Sequence, residues 1–325
     1  MLRAYIIKDR KAYKGEYLMG IVVIGSTFVD VKGYPLGQFV ADGRNAGRVE
    51  QVHGGVARNV VENIANMELR PTFVSLVDDN GSGIDVINKL NRHKVDTKYI
   101  VQTKDGMGMW LAIFDNSGDL AASISKRPNL QPIYDILKEH GDEIVSQSDS
   151  VALELDLEQD VVKETFKLAK KYNKPVYAVI SNMGIALERR DFFQQLDCFV
   201  CNQLEAGMLF VKDMETLTPD EILEVLPTLS KNAGISKMIV TLGAKGAVYY
   251  SEAGEKGICP AHKVDVKDTT GAGDAFFSGV TAGLTYGKTL KESCEIGARL
   301  SASVITTTEN VCPRFRPEEF GICNV

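Results

Sequence analysis

No run of about 18 consecutive apolar residues occurs in the 325-residue chain, so no helical membrane span is expected. The opening stretch 1–10 lacks a long apolar core and a small-residue cleavage site and does not read as a signal peptide. Cysteine is sparse: the six, at 198, 201, 259, 294, 312 and 323, suit a reducing, cytoplasmic setting better than a disulfide framework. Cys198-Phe-Val-Cys201 has the spacing of a zinc or redox pair. No second pair or nearby histidine completes it, and it lies in an apolar run over 196–200 that reads as a buried strand. The four histidines (53, 93, 140, 262) are scattered, with no ligand or triad spacing. A basic excess is also missing. The net charge of −6 argues against a nucleic-acid polymer as main partner, because phosphate neutralisation needs a basic face. Gly25-Ser-Thr-Phe28 does not supply the Gly-x-Gly-x-x-Gly of a dinucleotide-binding turn. No Gly-x4-Gly-Lys-Ser/Thr loop, protein-kinase signature, internal repeat, low-complexity tract or long linker is found.

What remains is a chain that is 44% hydrophobic and long enough to bury a large core, as one big domain or one with a small appendage. Residues 1–18 read as an N-terminal extension ahead of Met19, and 19–325 as the domain proper. Residues 20–31 read as one buried strand ending in polar residues, with Asp30 at its end. The glycine-rich 32–53 alternates weakly around 38–40 and 48–52 and suggests a short sheet or flap. His53-Gly-Gly-Val-Ala-Arg-Asn59 then opens a helix, with glycines that allow close backbone approach and an amide in its first turns. A strand over 72–77 and a helix over 83–93 follow; 99–102 and 107–114 are expected to pair, with a hairpin turn at 115–118 leading to 119–125. These strands and those of 32–53 are expected to form a small sheet outside the main one. From 129 the pattern becomes βαβ-like: helices at 132–145, 159–172, 188–195, 203–210 and 219–233, and strands at 149–155, 175–180, 197–200 and 237–242. A hairpin through 246–250 and 256–260 closes the series. Such alternation predicts a mostly parallel sheet covered by helices.

The densest signal is Asp268-Thr-Thr-Gly-Ala-Gly-Asp274, running into Ala-Phe-Phe-Ser-Gly-Val. Residues 270–273 are small, so the backbone can turn sharply and expose N–H groups. The helix that starts here adds the positive end of its dipole, which makes an anion site. Asp274 in that first turn is either a carboxylate that complements the dipole or a proton acceptor beside an anion. Similarly, Asn202 with Glu205 reads as a helix cap, and 241–246 as a strand-to-hairpin turn.

The string from Asp268 to Gly279 closely resembles the C-terminal signature of the PfkB/ribokinase family of ATP-dependent sugar and nucleoside kinases. The resemblance runs in order through four motifs over most of 20–312. It implies a ribokinase-like three-layer α/β/α fold with a mostly parallel central sheet and a small β-sheet lid, its strands from about 32–53 and 99–125. It implies that Asp274 is the catalytic base and that the N–H groups of Gly271, Ala272, Gly273 and Asp274 form the anion hole. Asp30 matches a sugar-hydroxyl ligand, and Gly54-Gly55-x-x-x-Asn59 matches the signature that holds the sugar. Asn202-Gln-Leu-Glu205 is similar to the element that organises Mg²⁺ and its waters around the nucleotide phosphates. Thr241-Leu-Gly243-Ala-Lys-Gly246 resembles the nucleotide-binding strand and turn, and 306–312, with Asn310, occupies the adenine-side and cation-loop region. Asp268 and Thr270 match positions that bind a monovalent cation, so potassium activation is expected.

Within the family, Val29-Asp-Val-Lys-Gly33, Asn45-Ala-Gly47 and 54–63 look most like the pseudouridine kinase branch. Two departures lie where a base or anomeric substituent would be recognised: Ser125-Lys-Arg-Pro128 and Glu154-Leu-Asp156, the latter supplying Asp156 as a substrate-side residue. The expected reaction is transfer of the ATP γ-phosphoryl group to a primary hydroxyl, the 5′-hydroxyl of pseudouridine as first expectation. The alternatives are a ribose, fructose or related sugar kinase, or a catalytically silent sugar- or nucleoside-binding protein on the same fold. Lid strands of this type often pair across a homodimer in the family, so a dimer is expected.

Overall fold

Strands buried on both faces and helices with one apolar face assemble here as three layers. The computed structural model describes residues 20–322; the expected extension over 1–18 lies outside them. In chain order the strands are β1 (Ile21–Ile24), β2 (Phe28–Pro35), β3 (Gly47–Gly54), β4 (Thr72–Asp78), β5 (Ile100–Thr103), β6 (Gly108–Phe114) and β7 (Leu120–Lys126). They continue as β8 (Ser150–Glu154), β9 (Val176–Val179), β10 (Cys198–Asn202), β11 (Lys237–Thr241), β12 (Ala247–Ser251) and β13 (Lys256–Cys259). The helices are α1 (Val56–Asn66), α2 (Gly81–Arg92), α3 (Gln131–Gln147), α4 (Gln159–Lys171), α5 (Met183–Leu187), α6 (Gln203–Phe210), α7 (Pro219–Ala233), α8 (Ala272–Thr285) and α9 (Leu290–Ile305).

Nine strands form the main sheet in the order β13-β12-β11-β10-β9-β8-β1-β4-β5, parallel from β11 to β5 and antiparallel through the β12–β13 edge. Strand periodicity sends alternate side chains to opposite faces. Val22 and Ile24 enter the core shared with α3, α4, α6 and α7, whereas Ile21 and Val23 enter the core shared with α1, α2, α8 and α9. Both faces are covered, which is why these strands read as unbroken apolar runs. Three helices, α6, α7 and α9, carry full capping boxes, Asn202/Glu205, Thr218/Glu221 and Thr289/Glu292.

A second sheet, β3-β2-β6-β7, stands apart as the expected small layer. Two of its boundaries differ from expectation. Residues 20–31 are not one strand: the chain breaks at 25–27, so Asp30 lies in β2 of the small sheet rather than at the end of a main-sheet strand. Residues 100–103 do not pair with 108–114; β5 adds to the main-sheet edge in parallel with β4, and the chain crosses to the small sheet through 104–107. Alternation of side chains identifies a strand but not its neighbour, and Asp105 (φ 55°) and Gly106 make the crossing. The expected helix over 188–195 is instead a 3-10 turn at 190–195 after the short α5.

Cys198 and Cys201 belong to the cores on opposite faces of the sheet, as positions three apart on a strand must. They cannot share a metal, and burial pushes both thiols above their ordinary range, Cys198 to about 12.

Sheet order reverses between β1 and β8: the chain grows from β1 toward β4, then resumes on the other side at β8. In open α/β sheets, ligands bind outside the carboxyl ends of strands at such a switch point. Here the small sheet is inserted directly after β1, and Glu154 at the end of β8 accepts hydrogen bonds from Ser26 N–H and Oγ, each 2.9 Å, across the switch.

Candidate active site

Asp274 lies in the first turn of α8, above the crevice. The turn that precedes the helix puts Gly271 at the N-cap with φ 80°, and no side chain caps the helix. A Cβ on Gly271 would come within 2.1 Å of the Asn310 carbonyl oxygen, so this position requires glycine for conformation and for space. Of the four expected anion-hole donors, Ala272 N–H is turned back to the Thr269 carbonyl at 3.2 Å. The N–H groups of Gly271, Gly273 and Asp274 have no acceptor among the described residues, and the space beside Gly273 is open. Free N–H groups at a helix N-terminus form an anion cradle.

The Asp274 carboxylate accepts a hydrogen bond from Asn59 Nδ2 at 2.7 Å. Burial pushes its pKa up to about 7, against the lowering effects of Asn59 and Arg58; Asp30 and Glu205 push the same way as burial. Asn59 is carried by α1, which begins beside Gly55 at φ 96°. Its Oδ1 is buried and has no partner among the described residues, leaving an acceptor beside the carboxylate. Asp30 reaches the same region from β2, and a Cβ on Gly54 would meet its carboxylate oxygen at 2.4 Å. Gly54 thus lets the Asp30 carboxylate pack directly against backbone, while Gly55 makes room for the Ser26–Phe28 backbone. Burial raises the Asp30 pKa, opposed by Lys32 and Arg58.

Asn202 and Thr241 end neighbouring parallel strands and are register partners, so they stand side by side on the same crevice. Asn202 Oδ1 accepts from Glu205 N–H at 2.9 Å while Glu205 Oε2 accepts from Asn202 N–H at 2.8 Å. The second Glu205 oxygen has no partner among the described residues, and burial raises this carboxylate's pKa. Among the described residues no three His, Cys, Asp or Glu side chains gather into a metal cage. One half-buried carboxylate beside an asparagine suits magnesium held mainly by phosphate oxygens and water. Gly243 and Gly246 turn the chain beyond Thr241 with φ 57° and 92°. Asp268 Oδ1 accepts from Thr270 N–H and Oγ1, both 2.8 Å.

Two expected site residues face protein groups. Asn310 Nδ2 donates to the His53 carbonyl at 3.0 Å, and its Oδ1 lies 3.5 Å from the Arg58 guanidinium. Asp156 is buried; Oδ1 accepts from Ser181 N–H at 2.8 Å, and Oδ2 from Ser181 Oγ and Arg127, both 2.7 Å.

A crevice with a neutral-poised carboxylate, an anion cradle and an alcohol-side asparagine suits phosphoryl transfer to a hydroxyl. Comparison with known proteins gives the same answer: residues 19–312 match the family described as pfkB family carbohydrate kinase. The chain belongs to the pfkB family. It is a carbohydrate or nucleoside kinase, and kinases of this family use ATP and Mg²⁺.

Among pfkB relatives, the guanosine-inosine kinase of Exiguobacterium acetylicum is 34% identical over 292 residues, covering 89% of this chain and 95% of that protein. The pseudouridine kinase of Escherichia coli is 23% identical over 307 residues, covering 94% and 95%. The solved structure of Arabidopsis thaliana ribokinase, complexed with ribose and ATP, superposes with a TM-score of 0.79 at 18% identity over 94% of this chain and 99% of that one. The fold is therefore ribokinase-like.

Sequence reasoning missed the pfkB chain's buried Arg58, which donates to Glu62 at 2.5 Å, to the His53 carbonyl and toward Asn310. The spacing of Arg58 and Glu62, opposite charges four apart on one helix, was the available signal. Residues 125–128 and Asp156 were singled out on the substrate side, but the bonding of Arg127 to Asp156 and of Asp156 to Ser181 was missed, and it has no local signature because its members come from three separate strand ends.

Proposed function

We propose that this kinase transfers the γ-phosphoryl group of ATP to the 5′-hydroxyl of a ribonucleoside, with Asp274 as the general base. The observation that carries this reading is the Asn59–Asp274 hydrogen bond beside the uncapped start of α8, with Asp30 on the facing lid strand. Asp30 and the free Asn59 Oδ1 hold the ribose hydroxyls and turn one primary oxygen toward Asp274. A carboxylate with a pKa near 7 is matched to taking that proton at neutral pH. The N–H groups of Gly271, Gly273 and Asp274, with the helix dipole, stabilise charge spreading over the transferred group. Asn202 and Glu205 would hold Mg²⁺, which would supply charge neutralisation at the phosphates. Thr241, Gly243 and Gly246 line the nucleotide side, and the Asn310 backbone buttresses the cradle at Gly271. Asp268 and Thr270 hold a monovalent cation, so the rate in potassium should exceed the rate in a sodium-only buffer. The small sheet over 28–35, 47–54, 108–114 and 120–126 is the lid, and it excludes water when substrate is bound.

The relative at 34% identity favours a 6-oxopurine nucleoside, guanosine or inosine, over the initial expectation of pseudouridine. An ADP-release assay with guanosine, inosine, adenosine, pseudouridine, uridine, ribose, fructose and fructose phosphate tests this. Guanosine and inosine should give the highest kcat/KM. Preferred turnover of pseudouridine restores the first expectation, and turnover of free sugars alone rejects a nucleoside kinase.

A further inference from the structure

The lid face that carries Asp30 also carries a second set of polar and aromatic groups. Across that face the register runs Val52, Asp30, Trp110, Ser125 on β3, β2, β6 and β7. Two strand spacings separate Asp30 from Ser125, roughly 10 Å, with the half-buried Trp110 between them. Arg127 continues the same alternation from Ser125, and its bonds to Asp156 show that it points toward the core. Its Nη2 donates to Asp156 Oδ2 at 2.7 Å and its Nη1 to the Asp156 carbonyl at 3.3 Å. Asp156 is itself fixed by Ser181 N–H and Oγ, so the guanidinium is held by a buried, fully engaged carboxylate. A guanidinium has five N–H donors. Those not spent on Asp156 have no acceptor among the described residues, and the Arg127 side chain is 35% exposed.

We infer that Arg127 is the base-reading residue of this kinase: it donates to the O6 and N7 edge of a 6-oxopurine whose ring lies beside Trp110, while Asp156 positions it. The inference rests on the proposed nucleoside substrate. The chemistry is directional. Guanine and hypoxanthine offer two adjacent acceptors, O6 and N7, which a guanidinium can bridge; adenine offers N7 beside an amino donor, which faces N–H with N–H. Aromatic rings accept every base without distinction, so the selection falls to the arginine. With ribose at Asp30, the base extends across the face toward β7, the direction in which Trp110 and Arg127 follow.

The test compares kcat/KM for inosine and adenosine in the wild type and in Arg127→Met, which keeps the stem and removes the donors. The inosine-to-adenosine ratio should fall about ten- to a hundredfold. Asp156→Asn, which weakens the hold on Arg127, should lower the ratio less and act through KM rather than kcat. If Arg127→Met folds poorly, Arg127→Lys, a single point charge without the planar fork, is expected to lower the same ratio. Calorimetric titration with inosine and adenosine, without ATP, should give the same ranking from binding alone. A folded Arg127→Met with an unchanged ratio overturns the base-reading role while leaving the nucleoside kinase intact. Wild-type turnover of sugars alone removes the substrate reading itself, and the base-reading role falls with it.

Discussion

In the proposed mechanism Asp274 takes a proton from an alcohol, which needs a pKa near the working pH; burial pushes this carboxyl up to about 7. Asp274→Asn should lower kcat about 10²–10⁴-fold, measured by ADP release. The same substitution should stabilise the protein. A raised carboxylate pKa means that the charged form costs folding free energy, beginning above the unfolded value of 3.8 and growing until the pH passes about 7. The gain in Asp274→Asn should therefore be up to about 4 kcal/mol at pH 8 and roughly a third to a half of that at pH 5. Denaturant titration at the two pH values checks both its sign and its growth with pH. In the wild type, kcat/KM should fall on the acid side with an apparent pKa of about 7. The Asn59 hydrogen bond lowers the Asp274 pKa, so Asn59→Leu should move that limb to higher pH as well as reduce activity. A limb that stays in place would remove Asn59 as the group tuning the base.

At the start of α8, two glycines two residues apart, Gly271 at the N-cap and Gly273 in the first turn, do different work. Gly271 needs a positive φ and abuts the Asn310 carbonyl, so Gly271→Ala should destabilise the protein by about 1–3 kcal/mol. Gly273 has helical neighbours and open space, so Gly273→Ala should hold or raise Tm, since alanine outranks glycine in a helix by about 0.5–1 kcal/mol. Its methyl group would nonetheless stand beside the free N–H groups, and a severalfold higher KM for ATP is expected. Thermal denaturation paired with ATP titration separates these effects. Gly273→Ala with wild-type kinetics would remove residue 273 from the phosphate cradle.

At the scale of the molecule, the outer face of the lid is the feature that the single chain does not explain. Register places Leu111 and Ile124 in one row and Ile113 and Val49 in the next, all on the face turned away from Asp30; Val31, in the first of these rows, packs against the core. Val49 and Ile124 are each 70% exposed, and an apolar sheet face of this kind normally has a partner. A homodimer that packs the two lids face to face buries it with two-fold symmetry. Ile124→Glu should convert a dimer to a monomer in sedimentation velocity; a wild type that sediments as a monomer at tens of micromolar would remove the dimer.

Much of this was legible locally. The helical periods of α4 and α7, the cap formed by Asn202 with Glu205, and the helix start at 271–274 depend on residues close together in sequence, so their pattern survives in one dimension; α9 (Leu290–Ile305) was not read from the sequence. Local order also marks Asn202 as a helix cap and Thr241 as the start of a turn, but not that the two stand side by side. What no stretch could specify was pairing over distance. The break at 25–27, which hands Asp30 to the lid, and the assignment of β5 to the main-sheet edge depend on which strand lies alongside. The Arg127–Asp156–Ser181 group and the contact of Asn310 with Gly271 likewise join residues that only the folded sheet brings together. The sequence by itself determined the layered α/β architecture, the turn into the helix at 271–274 and the Asn202–Glu205 cap, because short motifs encode backbone turns and helix ends. Tertiary structure decided the upward shift of the Asp274 pKa, the face of the small sheet that carries Asp30 and the partners of Arg127, because burial and cross-strand register are properties of the assembled chain.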